Sequence, residues 1–368
     1  MIKVPFWSPA RNYKSIKKEI DGAITRVLES GQLVLGYGED VERFEKSFAK
    51  FIGVKHAIMC GAGTQALYLA YRALGIKAGD EVITTSHTFI ATIDQIVALG
   101  AKPILVDIDD TGLIDPVEIE KAITSKTKAI VPVHLEGKIC DMPVILKIAK
   151  KHKLLVIEDA AQAAGANIDG KIAGSWGNAG CFSLFPAKTL GSFGNAGCVT
   201  TNDSKLANRL KLLRCNWNIG KNPSQDVEFG VNMEPDVLQA AVLNVKLRKL
   251  KGYIKKREEI ANFYYEVLGE ETPLRLPYRQ KGRIYQDFVI RVEQGRGELI
   301  KHLQKNGVGI LGHNLIPNHK YKKLGLNFKL PKTEKYLATQ IRIPCNPDLT
   351  EEEVIYVVET IRKFYDKR

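Results

Sequence analysis

Between residues 56 and 159, short apolar runs alternate with stretches of helical periodicity, and this alternation constrains the fold most strongly. The runs are HAIMC (56–60), EVITT (81–85), KPILVDI (102–108), TKAIVPV (127–133) and LLVIED (154–159). Strands that are apolar along their whole length lie in a sheet that is covered on both faces. Helices that connect successive strands make such a sheet mostly parallel. The pattern therefore predicts an α/β fold.

The pattern of the chain changes near residue 250. Residues 237–265 have the periodicity of a long helix or a helix pair, with a polar face rich in Lys and Arg. One strand and two helices follow, at 285–292, 298–308 and 351–365. A chain of 368 residues is long enough for two domains. We predict a large domain with a mostly parallel sheet at residues 1–248 and a smaller C-terminal α+β domain at residues 249–368.

The formal net charge of +13 comes from 54 basic and 41 acidic residues. An anionic partner such as nucleic acid is one explanation of this excess. However, the lysines alternate with glutamates in helical segments, and no nucleic-acid-binding motif accompanies them. A solvated lysine-rich surface with a local anion site explains the charge better, so no nucleic-acid partner is expected.

Cysteine and histidine spacing argues against a metal site. The six cysteines include no CxxC pair, and the histidines form no HxxxH or HExxH pattern. No apolar run approaches the roughly 20 residues that a membrane span needs, and the N-terminal segment lacks an apolar signal region. We therefore expect a cytoplasmic protein without bound metal and without membrane association.

Candidate functional residues follow several of the predicted strands, where open α/β sheets bind their ligands. The turn GAGT (61–64) opens a helix whose free N–H groups can bind an anion, although a plain turn with a capping Thr64 has the same pattern. Phe89 follows the second strand, where a lone aromatic residue is more often part of the core. Asp159 ends a buried strand, so it needs a cationic partner unless it caps a following helix.

Lys188 lies in the apolar, glycine-rich segment FSLFPAKTLGSFGNAG (182–197). Burial lowers the pKa of an amine and makes it a better nucleophile, whereas a lysine that extends its ammonium group to solvent is only structural. A phosphate turn, a strand-end carboxylate and a lysine in an apolar loop occur here in the order found in pyridoxal-5′-phosphate (PLP) enzymes. The combination is more specific than any one of its parts.

Through these residues and the segments around them, the chain resembles the DegT/DnrJ/EryC1/StrS family of PLP-dependent sugar aminotransferases from about residue 5 to about residue 365. The resemblance implies an aspartate-aminotransferase-like fold (fold type I). The segments that carry it are AGTQALYLAYRALGIKAGDEVITTSHTFIAT (62–92), AIVPVHLEGKICDM (129–142), VIEDAAQAAGA (156–166), FSLFPAKTLGSFGNAGCVTTND (182–203), GVNMEPDVLQAAVL (230–243) and RIPCNPDLTEEEV (342–354).

The resemblance also implies roles for individual residues. The catalytic residues would be Lys188, as the Schiff-base lysine, and Asp159, as the partner of the cofactor's ring nitrogen. The other cofactor contacts would come from Gly63, Thr64, Phe89, Gln162, Ser183 and Asn232. Because Asn232 would reach the cofactor of the neighbouring subunit, we expect a homodimer with shared active sites. Substrate contacts would come from His313, Asn314 and His319, where the chain departs from the commonest family pattern.

The resemblance implies transfer of an amino group from glutamate to a nucleotide-linked keto-sugar, a 3- or 4-keto hexose, in amino-sugar biosynthesis. Amination of a cyclitol ketone is the main alternative. Two further alternatives are a PLP-dependent sugar dehydratase and a PLP-binding regulatory protein without catalysis. Related dehydratases carry His in place of the lysine, so Lys188 argues against the first of these. The complete set of Lys188, Asp159 and Gln162 argues against the second.

Overall fold

The computed structural model describes residues 2–36, 38–215, 230–269, 272–312 and 314–366. Its strands are β1 (His56–Cys60), β2 (Glu81–Thr85), β3 (Lys102–Val106), β4 (Thr127–Ile130), β5 (Leu155–Asp159), β6 (Asn167–Ile168), β7 (Lys171–Ile172), β8 (Ala179–Ser183), β9 (Gly197–Thr201), β10 (Phe288–Arg291) and β11 (Gln340–Ile343). Its α-helices are α1 (Pro9–Ser15), α2 (Lys17–Ser30), α3 (Asp40–Ile52), α4 (Gly63–Ala73), α5 (Ala91–Ala98), α6 (Pro116–Lys121), α7 (Met142–His152), α8 (Ser204–Arg214), α9 (Val237–Leu268), α10 (Arg296–Lys305), α11 (Pro331–Thr339) and α12 (Glu351–Tyr365).

Seven strands form one sheet in the order β1-β9-β8-β5-β4-β2-β3. The pairs β8-β5, β5-β4, β4-β2 and β2-β3 are parallel, whereas β9 runs antiparallel to both of its neighbours. The sheet is therefore mostly parallel, which confirms the predicted α/β fold. The carboxyl ends of β1, β2, β4, β5 and β8 consequently lie at the same edge.

Both faces of this sheet are buried, which explains why its strands are apolar at successive positions. Ile58 of β1 packs on one face in a cluster with Tyr71 of α4. On the other face, Phe182 of β8 contacts Phe48 of α3 edge-on, with ring centroids 5.0 Å apart. Helices therefore cover both faces of the sheet, and its edges are where a ligand can approach the strand ends.

A further core lies in the C-terminal part of the chain. Strands β10 and β11 pair antiparallel and pack with α10, α12 and the end of α9. Helix α9 is 32 residues long and contributes Leu243 to the core of the sheet and Tyr264 to this second core. The division into residues 1–248 and 249–368 stays a prediction, and its boundary falls within α9.

The strand predicted at 285–292 is shorter in the structure, where β10 covers only Phe288–Arg291. Tyr285 has φ 49°, a left-handed backbone conformation that interrupts an extended strand. The chain turns at this residue, and the next side chain, Gln286, points to the loop that contains Lys188. In the part of the chain that the structure describes, no helix is long and apolar enough to cross a membrane.

Candidate active site

A cavity of about 400 Å³ lies at the edge of the sheet where the parallel strands end. Its walls come from the segments that follow β1, β2, β4, β5 and β8. Seven of the predicted site residues line it together: Gly63, Thr64, Phe89, Asp159, Gln162, Ser183 and Lys188. Residues that are up to 125 positions apart (63 and 188) therefore meet in one place because strand ends meet at one edge.

One end of the cavity is the N-terminus of α4. The N-cap residue Ala62 provides no side-chain hydrogen bond, so the first N–H groups of the helix and the positive end of its dipole are available to an anion. Thr64 is the second helical residue and not the cap. A Cβ atom on Gly63 would lie 2.6 Å from Ser183 Cβ, so glycine is what allows the helix to approach the end of β8 this closely.

Asp159 forms the polar floor of the cavity and is only 4% exposed. Its carboxylate accepts hydrogen bonds from Thr92 Oγ1 at 2.7 Å and from Ala161 N at 3.1 Å. Burial raises the pKa of Asp159, and these two hydrogen bonds partly oppose that effect. Within the described chain it has no cationic ion-pair partner. The residues directly after it form turns and not a helix, so the alternative of a helix cap is wrong.

The side chain of Gln162 has a fixed orientation. Its Oε1 accepts a hydrogen bond from Glu136 N at 2.9 Å, which leaves the amide NH₂ group free to donate into the cavity. Glu136 is fully buried, and its carboxylate lies 2.9 Å from Lys138 Nζ and 3.1 Å from Tyr336 Oη. Although burial alone would raise the pKa of Glu136, the charges of Lys138 and its other cationic neighbours lower it to about 2.

Lys188 lies in the loop between β8 and β9 and lines the cavity with a half-buried side chain. Among the residues that the structure describes, its Nζ has no hydrogen-bond or ion-pair partner. Burial lowers the pKa of this amine, while the negative charges of Asp287 and Asp159 oppose that effect. An amine that is easily deprotonated and has no partner is suited to nucleophilic and general-base chemistry.

Phe89 lies on the cavity wall with 69% of its surface exposed, so the alternative that it belongs to the core is wrong. An exposed aromatic ring in a cavity offers an apolar face to a flat ligand. No local sequence pattern indicates a role for Thr92, whose hydroxyl donates a hydrogen bond to Asp159. The two residues are 67 positions apart, and only the fold brings them together.

Three predicted residues do not line this cavity. Asn232 is exposed, and its Oδ1 accepts a hydrogen bond from Glu234 N at 3.3 Å. Asn314 is also exposed. His319 is buried, with Nδ1 2.8 Å from Ser86 Oγ and Nε2 3.1 Å from Glu334 Oε1, so both ring nitrogens are already engaged. His313 lies outside the described residues.

The donor set around the cavity fits PLP part by part. The open end of α4 suits a phosphate, the buried carboxylate of Asp159 suits a protonated ring nitrogen, and the amine of Lys188 suits an aldehyde. Phe89 offers a surface for the ring. The fold and this cavity define a PLP-dependent enzyme of the aspartate-aminotransferase-like fold, type I.

The chain belongs to the DegT/DnrJ/EryC1/StrS aminotransferase family, whose sequence model matches residues 14–362. This membership confirms the prediction of a PLP-dependent aminotransferase. The solved structure of NtdA from Bacillus subtilis, which has PMP bound as its cofactor, is similar with a TM-score of 0.92 and 31% identity, covering 100% of this chain and 86% of that one.

Two curated relatives match almost the whole chain. A dTDP-3-amino-3,6-dideoxy-alpha-D-galactopyranose transaminase from Aneurinibacillus thermoaerophilus is 42% identical, with 98% of this chain and 99% of the relative covered. A pleiotropic regulatory protein from Geobacillus stearothermophilus is 38% identical, with 99% of both chains covered. The chain is therefore similar both to a sugar transaminase and to a protein with a regulatory name.

Proposed function

We propose that this aminotransferase moves an amino group from glutamate to the ketone of a nucleotide-linked keto-hexose, at carbon 3 or 4, in amino-sugar biosynthesis. The observation that carries the proposal is the meeting of Lys188 and Asp159 in one cavity with the open end of α4. The similarity to a dTDP-sugar transaminase supports the substrate class.

In this proposal, Gly63, Thr64 and Ser183 hold the phosphate of PLP at the N-terminus of α4. Phe89 packs against the ring, and the NH₂ group of Gln162 donates to the phenolic oxygen. When bound, PLP supplies an electron sink for negative charge that develops next to the transferred nitrogen. Asp159 keeps a proton on the ring nitrogen, because a buried carboxylate strongly favours an adjacent cation.

Lys188 has two tasks in the proposed reaction. Its Nζ would hold the cofactor while no substrate is bound. As general base and acid, Nζ would take a proton from the α-carbon of the amino donor and would give a proton back when the ketone is aminated. Burial lowers the pKa of this amine, so a larger fraction of Nζ is unprotonated and able to accept that proton.

We further propose a cytoplasmic homodimer with shared active sites. Asn232 is exposed and does not line the cavity of its own chain, which is consistent with a contact across the subunit interface. His313 and Asn314 remain proposed substrate contacts. The hydrogen bonds of His319 better support a role in holding the segment around residue 319 against Ser86.

The regulatory alternative has one specific observation in its favour, which is the name of the relative from Geobacillus stearothermophilus. The intact set of Lys188, Asp159 and Gln162 around the cavity favours catalysis, because a protein that only binds PLP does not need a proton-transfer group.

The proposal is tested by incubating the purified holoenzyme with glutamate and a panel of nucleotide-linked keto-hexoses, with mass detection of the aminated products. Lys188→Ala serves as the control and should give no product. We expect amination of at least one nucleotide sugar. Faster amination of a free cyclitol ketone than of every nucleotide sugar would assign the enzyme to the cyclitol class, and no product from either class would favour the regulatory alternative.

A further inference from the structure

The side chain of Gln286 binds the backbone on both sides of Lys188. Its Oε1 accepts hydrogen bonds from Thr189 N at 2.7 Å and from Thr189 Oγ1 at 2.8 Å. Its Nε2 donates to the carbonyl oxygen of Ala187 at 2.9 Å. One buried amide, 9% exposed, therefore connects the residue before Lys188 to the residue after it.

The backbone of Gln286 is itself bound by a residue of α9. The buried guanidinium group of Arg257 donates to the carbonyl oxygens of Tyr285 and Gln286, both at 3.1 Å, and to that of Cys345 at 2.7 Å. The left-handed conformation of Tyr285 turns the chain just before Gln286. The amide is thus fixed to the long helix that joins the two cores, and it is not part of a freely moving loop.

Gln286 is the side chain that binds both peptide groups next to Lys188, and other hydrogen bonds hold the rest of the loop. Ser192 N donates to Leu184 O at 2.8 Å and closes the loop at its ends. Lys188 N donates to Phe185 O at 2.8 Å, so the N–H of the peptide group before Lys188 is held within the loop, while its carbonyl and the N–H of the next peptide group are held by Gln286. The peptide groups that flank Lys188 are bound by Gln286 on both sides. A small rotation of these groups would displace Nζ at the end of a long and flexible side chain.

We propose that Gln286 is a positioning residue for Lys188, which aims Nζ into the cavity by fixing the two flanking peptide groups. This inference rests on the proposed role of Lys188, but it assigns a task to a residue that does not line the cavity. It also means that a residue of the C-terminal part of the chain sets the position of Lys188 Nζ.

The matched control is Gln280, which lies on the same segment and binds backbone in the same manner. Its Oε1 accepts from Ile139 N at 2.9 Å and its Nε2 donates to Ile139 O at 2.8 Å, away from Lys188. In the cofactor-free protein, Gln286→Ala should increase hydrogen exchange in a peptide covering 184–192 about tenfold or more, because Thr189 N loses its acceptor. Gln280→Ala should leave that peptide unchanged.

The second readout is the rate at which added PLP becomes trapped on Lys188 by borohydride. We expect this rate to fall about tenfold or more in Gln286→Ala and to stay the same in Gln280→Ala. If Gln286→Ala does not fold, Gln286→Glu provides the test. It keeps the acceptor for Thr189 but has no donor for Ala187, so exchange should stay protected while trapping slows.

Three results would overturn the inference: equal effects of Gln286→Ala and Gln280→Ala, unchanged trapping in Gln286→Ala, or, where Gln286→Glu is the test, trapping as fast as in the unmutated protein. Failure of the proposed function is a distinct outcome. In that case, the unmutated protein itself would carry no adduct on Lys188, whatever the state of Gln286.

Discussion

At the scale of single residues, Asp159 is a carboxylate that the fold buries without an ion-pair contact to any cationic side chain in the described part of the chain. Its hydrogen bonds from Thr92 and Ala161 satisfy two of its acceptor positions but do not neutralise its charge. Such a group is expensive to bury and is typical of a functional site, where the missing positive charge arrives with a ligand.

Replacing Asp159 with Asn removes this charge with little change in shape. We expect Asp159→Asn to bind PLP, but to react with glutamate about 100-fold or more slowly, because the ring nitrogen loses the group that keeps it protonated. The rate at which glutamate bleaches the visible band of the cofactor measures this step. A rate close to that of the unmutated enzyme would leave Asp159 without its proposed role.

The same substitution should stabilise the protein when PLP is absent. Burial raises the pKa of Asp159 in the folded state, so deprotonation favours the unfolded state and stability is lost as pH rises through the folded-state pKa. Cofactor-free Asp159→Asn should therefore melt at a higher temperature than the unmutated apoprotein at about pH 8, and the difference should shrink towards about pH 4. A lower melting temperature at the higher pH would contradict this account of the carboxylate.

At the scale of secondary-structure elements, the N-terminus of α4 is a second polar group of the cavity that has no side-chain partner among the described residues. Some helices of the described chain are capped by side chains and others are not: Asp203 caps α8, and Thr350 forms a capping box with Glu353 on α12, whereas α3 and α5 have no side-chain cap. Helix α4 has Ala62 at the corresponding position. Its N–H groups are therefore available to the phosphate.

Adding a capping side chain to α4 should raise the stability of the apoprotein and lower its affinity for PLP. We expect Ala62→Asp to stabilise the apoprotein by about 0.5–2 kcal/mol, because its carboxylate caps α4, and to weaken PLP binding by repelling the phosphate. Urea unfolding and PLP titration measure the two effects. Ala62→Asn is the control, since it caps without charge and should cost less affinity. Unchanged PLP affinity in Ala62→Asp would place the phosphate elsewhere.

Elements with local sequence signals were predictable, and contacts between distant elements were not. Strands at 56–60 and 81–85 are bounded in the structure as their apolar runs indicate, because each run is buried on both faces. The strand at 285–292 was overestimated, because its apolar pattern does not reveal the left-handed turn at Tyr285. Likewise, Asp159 and Lys188 are marked by their own surroundings, whereas the hydrogen bonds of Gln286 join residues 97 and 99 positions apart.

At the scale of the whole molecule, the proposed sharing of Asn232 between subunits has a direct consequence. Lys188→Ala and Asn232→Ala should each be nearly inactive as homodimers. When the two variants are mixed and allowed to exchange subunits, each mixed dimer should contain one site with an intact Lys188 and an intact Asn232. Because half of the dimers are mixed, activity should return to about a quarter of the unmutated value. No recovery on confirmed subunit exchange would show that the sites are not shared.

The central claim is that Lys188 is the lysine that holds PLP, and reductive trapping tests it most directly. The purified enzyme should be yellow, and sodium borohydride should bleach the visible band by fixing the cofactor on the protein. Peptide mapping by mass spectrometry should then place the reduced cofactor on Lys188, in the segment between β8 and β9. An adduct on any other lysine, or no adduct on a protein loaded with PLP, would contradict the account.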